Sequence, residues 1–155
     1  IDPSTCARAF YDAANNKIYV FDEIYASGLQ LDEFASRLKG LGLGRRNKIY
    51  CDSAEPRSIE YLKSQGFYAV PCIKGKDSVK ARLLFLQNNE IIVHPKCVNM
   101  IKELSNFSYI EKNGKITEDM THEYSHLCCD GLGYAFSDIY TKKTMTILDK
   151  KFLNL

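Results

Sequence analysis

Lys48-Ile49-Tyr50-Cys51-Asp52-Ser53-Ala54-Glu55-Pro56 is the stretch on which the fold turns. Lys48 to Cys51 reads as a short strand. The run stops at a carboxylate and then breaks into a helix with Pro56 in its first turn. A strand of this kind buries itself in a sheet and presents the acid at its carboxyl-terminal end. In open α/β sheets, ligands and metals collect at those ends. Asp52 is therefore the first candidate site residue. A second acid, Asp130, lies far downstream beside His126 on a predicted helix. Two distant acids that converge point to a metal-dependent site.

The neighbouring segments supply the rest of the sheet. Thr5 to Tyr11 reads as a strand, Asn15-Asn16 as a turn, and Lys17 to Tyr25 as the antiparallel partner. Leu31, Phe34, Ala35 and Leu38 fall at helical spacing, and glycines from Gly40 to Gly44 end that helix. A short helix from Pro56 to Ser64, a strand from Phe67 to Ile73 and a helix from Ser78 to about Gln87 follow. Val79, Leu83 and Leu86 are expected on the inward face of that last helix. Glu90 to Val93 reads as a strand. Pro95 to about Ser105 reads as a helix with Val98, Ile101 and Leu104 inward. Asn113-Gly114 is a hairpin signal, and a long helix is expected from about His122 to Tyr140. A hairpin first, then alternating helices and strands, gives an α/β fold with an antiparallel start and parallel strands after it, flanked by helices. The RNase H-like fold has this order.

At 155 residues the chain suits one domain, residues 1–155. It is 45% hydrophobic and 26% charged, the profile of a globular protein, and no apolar run reaches bilayer-spanning length. A formal net charge of +2 is too small to argue for nucleic acid by itself. Lys74, Lys76, Lys80 and Arg82 nevertheless cluster, which by default reads as a solvated face. The six cysteines form no Cys-x-x-Cys pair and several sit in apolar runs. They read as free thiols in a reducing compartment. The opening Ile1-Asp2-Pro3-Ser4 carries no initiator Met, and the chain is expected to be cut from something longer.

Two chemistries compete for the segment around His126. His122-Glu123-Tyr124-Ser125-His126 matches H-E-x-x-H. On a helix that pattern holds zinc between two histidines, with Glu123 as general base of a metalloprotease. The motif comes late in a β-first chain, however, and leaves Asp52 unexplained. Alternatively, Asp130 approaches Asp52 and the carboxylate pair holds Mg²⁺ or Mn²⁺ for two-metal phosphodiester hydrolysis. Gly131 and Gly133, poor helix formers, then suggest close approach to another element.

Several strings resemble, in order, the RNase H-like nuclease domain of phage terminase large subunits, the DNA-packaging motors. Asp2-Pro3-Ser4-Thr5 resembles a D-P-[ST] turn after the first strand. Ile18 to Glu23 resembles the second strand, and Asp52-Ser53-Ala54-Glu55-Pro56 the D-S-A-[ED]-P string. Lys74-Gly75-Lys76-Asp77-Ser78 resembles K-G-x-x-S, and Asp130-Gly131-Leu132-Gly133-Tyr134-Ala135 resembles D-A-x-R-Y-A. The resemblance implies an endonuclease that cuts concatemeric double-stranded DNA with Mg²⁺ or Mn²⁺, in the cytoplasm of an infected or lysogenic bacterial host. Its partners would be the small terminase subunit and the capsid portal. The family's metal-binding acids map onto Asp52 and Asp130. Its histidine maps onto His126, although relatives place it three residues before the acid, where this chain has Leu127. Glu55 would support the site, and Lys74, Lys76 and Arg82 would contact DNA phosphates. The family's first catalytic acid lies on a strand upstream of the D-P turn, so the chain is expected to lack that strand and the packaging ATPase before it. The other reading is a docking module that grips DNA and the portal without chemistry of its own.

Overall fold

The structure, a computed structural model, describes residues 2–141. Expectations for Ile1 and for 142–155 lie outside the described residues. Strands β1 (Ser4–Asp12) and β2 (Lys17–Ala26) form the expected antiparallel hairpin, with a bulge between Arg8 and Ala9. The Asp12 carboxylate accepts the Asn15 amide, and Asn16 takes a left-handed φ of 53° to close the turn. Helix α1 (Leu31–Gly40) begins with the Glu33 carboxylate accepting the Gln30 amide at 3.1 Å.

Strand β3 (Lys48–Cys51) runs into helix α2 (Pro56–Ser64), and Gly66 at φ +90° turns the chain into β4 (Tyr68–Pro71), parallel to β3. Helix α3 (Ser78–Gln87) leads to β5 (Glu90–Val93), which pairs in parallel with β2. Helix α4 (Val98–Asn106) precedes the hairpin of β6 (Tyr109–Lys112) and β7 (Lys115–Met120). Asn113 and Gly114 both have positive φ there, as a two-residue hairpin turn requires.

The long helix expected from His122 to Tyr140 is broken. Thr121 to Ser125 is non-helical, His126–Gly131 forms a π-helical turn, and a short helix α5 (Leu132–Tyr134) precedes further helix at 137–141. The π turn is written in the hydrogen bonds. The Asp130 amide donates to the Ser125 carbonyl five residues back at 3.0 Å.

The mixed sheet is present but divided. Among the described residues, β1, β2 and β5 form one ladder and β3 and β4 another, and β1 and β3 are not hydrogen-bonded to each other. Between them lies a cleft of about 890 Å³. Consecutive residues line it, 4–10 from β1 and 48–51 from β3. A strand face presents only alternate residues, so both walls are strand edges.

Two apolar clusters hold the layers together. One packs Ile18 and Val20 of β2 against Leu83 and Leu86 of α3, Met100 of α4, and Leu127 and Leu132. The other packs Ile24 against Leu38 of α1, Leu62 of α2 and Ala69 of β4. Three inward expectations fail. Val98 is 63% exposed and Val79 53% exposed, and Ile101 is exposed too. In α4 the inward side belongs to Met100 and to a carboxylate, Glu103. Glu103 Oε2 accepts the amides of Leu127 and Cys128, each at 2.7 Å, at the start of the π turn. The N-terminus of α4 is held by Glu23 of β2, which accepts the Asn99 and Met100 amides at 2.9 and 2.8 Å.

Replacing Glu103 by Ala strands two buried amides, and urea unfolding should show a loss of about 2–5 kcal/mol. Glu103→Gln, which keeps one acceptor oxygen, should lose less than half of that. Equal losses for both variants would mean that the amides find other partners.

Candidate metal centre at the end of the third strand

Asp52 follows the last residue of β3, where the ladder ends and the chain turns toward α2. Its Oδ1 accepts the Ala54 amide at 3.0 Å, a local turn that fixes the carboxylate. Lys74, on the loop after β4, donates to the same oxygen at 2.5 Å. Burial alone would push the Asp52 carboxyl upward, but the hydrogen bonds from Lys74 and the Ala54 amide outweigh it, and its pKa lies below the ordinary value.

Asp130 sits on the π turn and lines the same cleft as Asp52, His126 and Glu55. Arg82 of α3 donates to its Oδ1 at 2.7 Å. Burial raises the Asp130 carboxyl above its ordinary value. Arg82 and His126 pull it back without cancelling that, and the charge of Asp52 adds to the rise. The two acids therefore feel each other, with their affinities for protons pushed apart. Each carries a cation, and both cations lie over one ring. The Arg82 guanidinium is 4.5 Å and the Lys74 ammonium 5.4 Å from the centroid of Tyr134.

Arg82 corrects one expectation. It was read as a DNA phosphate contact, but it is 3% exposed and its guanidinium is committed to Asp130. Lys74 and Lys76 are exposed. Glu55 is exposed on the cleft wall. His126 is brought to the cleft, its carbonyl held by the Thr5 hydroxyl at 3.0 Å. Among the described residues, however, Asp52, Asp130 and His126 do not close into one three-ligand group. The zinc-protease reading also fails on geometry. His122 to Ser125 is not helical, and Glu123 lines a different depression, beside Glu103 and Tyr25.

Sequence reasoning missed how Arg82 reaches Asp130. Its stem crosses Gly133, where an added Cβ would overlap the Arg82 Cδ and Cγ. The quoted family string has Arg at this position of the helix. Here glycine leaves the space, and a guanidinium arrives from α3 instead. A glycine where the string carries arginine was the available signal, but nothing in one sequence names Arg82 as the replacement.

The donor set suits a hard or borderline divalent ion. Two carboxylates, 39% and 38% exposed, face the cleft with an imidazole beside one of them. Lys74 and the Ala54 amide both occupy Oδ1 of Asp52.

Carboxyl NMR titration should place Asp52 below the ordinary aspartate value of 3.8 and Asp130 above it. The contribution of Asp52 to stability is complete above 3.8 and is lost as pH falls through its lower folded pKa. That of Asp130 runs oppositely, largest at low pH and declining as pH rises from 3.8 through its raised folded pKa. Lys74→Met should move Asp52 upward, and an unmoved Asp52 would refute the pairing. Separately, Arg82→Ala should cost about 2 kcal/mol, less than a fully buried pair because Asp130 is partly solvated. Adding Gly133→Arg should restore part of it, and no recovery would refute the exchange of positions.

The chain resembles known proteins over most of its length. The family model described as the terminase RNase H-like domain matches residues 1–138. The PBSX phage terminase large subunit of Bacillus subtilis (strain 168) is 32% identical over 117 residues, covering 72% of this chain and 26% of that protein. The large terminase subunit of Bacillus phage SPP1 is 32% identical over 145 residues, covering 87% of this chain and 33% of that protein. The chain thus spans between a quarter and a third of the curated relatives that it matches. Among solved structures, the large-terminase nuclease domain of bacteriophage SPP1, with bound Mn, superposes with a TM-score of 0.79 at 30% identity, covering 87% of this chain and 78% of that one. With the divided mixed sheet, the acid at the end of β3 and this breadth of matching, the chain belongs to the terminase RNase H-like domain family.

Proposed function

We propose that the chain is the nuclease part of a DNA-packaging terminase, cutting concatemeric double-stranded DNA by metal-dependent phosphodiester hydrolysis. The observation that carries the reading is the convergence of Asp52 and Asp130 on one cleft, with His126 beside Asp130. The Mn in the similar SPP1 nuclease domain supports a divalent ion.

Asp52 and Asp130 would hold Mg²⁺ or Mn²⁺, with His126 as a further ligand or orienting group. Bound there, the ions supply an activated water and stabilise the leaving oxygen. The chain's own residues do the rest. Lys74, exposed beside Asp52, would meet a phosphate. Lys76 and Arg46, exposed beside the site and on the cleft wall, add phosphate contacts without reading sequence. Arg82 stays on Asp130 and keeps its carboxylate oriented. Glu55, on the same wall, supports the site through its polar surroundings.

The cleft between β1 and β3 bears on completeness. Two strand edges not paired with each other line it. A segment upstream of Asp2, which itself lines the cleft, would fill it and bring a third acid to the ions. An upstream packaging ATPase, the small subunit and the portal belong to the same proposal, as does action inside a bacterial host.

The test is Mn²⁺-dependent cleavage of supercoiled plasmid by this chain and by one continued upstream through the proposed further strand. Cleavage by the longer chain, lost by at least a hundredfold in Asp52→Ala with the fold intact, is expected. Undiminished cleavage by Asp52→Ala overturns the site. DNA binding unaffected by chelator, with no nicking by either chain, replaces the nuclease by a docking module.

A further inference from the structure

The nuclease reading leaves two chemically capable residues unused, Asp2 and His122. They meet at His126. The Asp2 carboxylate stands between the two imidazoles, Oδ2 at 4.0 Å from His122 Nε2 and Oδ1 at 3.8 Å from His126 Nε2. The rings pack edge to face with centroids 5.0 Å apart, and one ligand atom from each of the three residues lies within 4.8 Å of the others. Among the described residues this is the group of three with ligand-capable atoms so close.

These separations are too long for hydrogen bonds. They are near what an ion imposes. Bonds of about 2.0–2.2 Å to nitrogen and oxygen in a tetrahedral site set ligand atoms about 3.3 Å apart, so closing the group takes at most about 1.5 Å. The backbone beneath both rings is already fixed. The His126 carbonyl accepts the Thr5 hydroxyl at 3.0 Å, and the His122 carbonyl accepts the Ser125 hydroxyl at 2.8 Å. Pro3 restricts Asp2 to extended backbone. The entropy cost of gathering the ligands is correspondingly small.

We propose that Asp2, His122 and His126 form a second cation site, selective for a borderline transition ion such as Zn²⁺, distinct from the carboxylate pair of Asp52 and Asp130. Two imidazoles and one carboxylate favour such an ion over Mg²⁺ or Ca²⁺, which prefer oxygen alone. Three protein ligands leave a fourth position open to water or a phosphate oxygen. The ion clasps the start of β1 to the segment that enters the π turn, and so fixes the ring of His126 next to Asp130. The site shares His126 with the nuclease reading, but it is tested through Asp2 and His122, which that reading leaves unused.

The experiment is titration of chelator-treated protein with Co²⁺, followed by its visible ligand-field spectrum, with Zn²⁺ as competitor. One equivalent of Co²⁺, displaced by Zn²⁺, is expected. Asp2 and His122 are exposed, so their replacement leaves the fold intact, which circular dichroism checks. Asp2→Ala and His122→Ala should each weaken binding at least about tenfold. Binding weakened by Asp52→Asn as much as by His122→Ala assigns the ion to the carboxylate pair and overturns the proposal. So does Co²⁺ affinity in the Asp2→Ala/His122→Ala double variant equal to that of the unaltered chain. Plasmid cleavage indifferent to Asp52 would defeat the nuclease reading and leave these outcomes untouched.

Discussion

One buried carboxylate positions the turn that carries the site. Glu103 reaches from α4 to the amides of Leu127 and Cys128, the residues that follow His126. Those amides are among the unpaired donors at the start of a helix, and a negative charge there is doubly favoured, as acceptor and against the helix dipole. α4 is in turn tied to β2 through Glu23 at its own N-terminus. The chain of contacts runs from the central hairpin, through α4, to His126 and Asp130. Each link is a carboxylate on backbone amides, which fixes direction as well as distance.

The π turn settles a discrepancy of spacing. In an α-helix, residues three and four apart lie to either side of the first residue's direction. A π turn takes up one extra residue per turn. A separation of four inside it therefore points much as a separation of three does in an ordinary helix. His126, four before Asp130, thus points along this turn much as a residue three before would on an α-helix. The extra residue is absorbed locally, and the rest of the fold does not shift.

What the sequence disclosed follows from what each signal depends on. Lys48 to Pro56 was legible because strand, acid and helix start are all local. The hairpins were legible from Asn16, Asn113 and Gly114, where positive φ is needed. The interior of α4 was not. Helical spacing favoured Val98 and Ile101, yet the buried side takes Glu103, because the amides it serves lie on another segment. Arg82 was misread for the same reason. A basic residue among lysines looks solvated until the gap at Gly133 and the acid at 130 are seen together. The division of the sheet depends on strands that fail to pair, and no propensity reports on that. Asp2 and His122 are far apart in sequence, and only the fold brings them to one point.

The recessed edges of β1 and β3 have a further consequence for solubility. An open strand edge is ordinarily a template for association, since any flat sheet can extend it. Here the two edges face inward across a cleft about 890 Å³ in volume. An extended segment lying in that cleft would meet both edges at once. On the outer side, β4 closes with Pro71, which has no amide to offer a newcomer. The unpaired backbone groups of β1 and β3 are thus turned toward the cleft, while β5 and β4 keep the outer edges of their ladders.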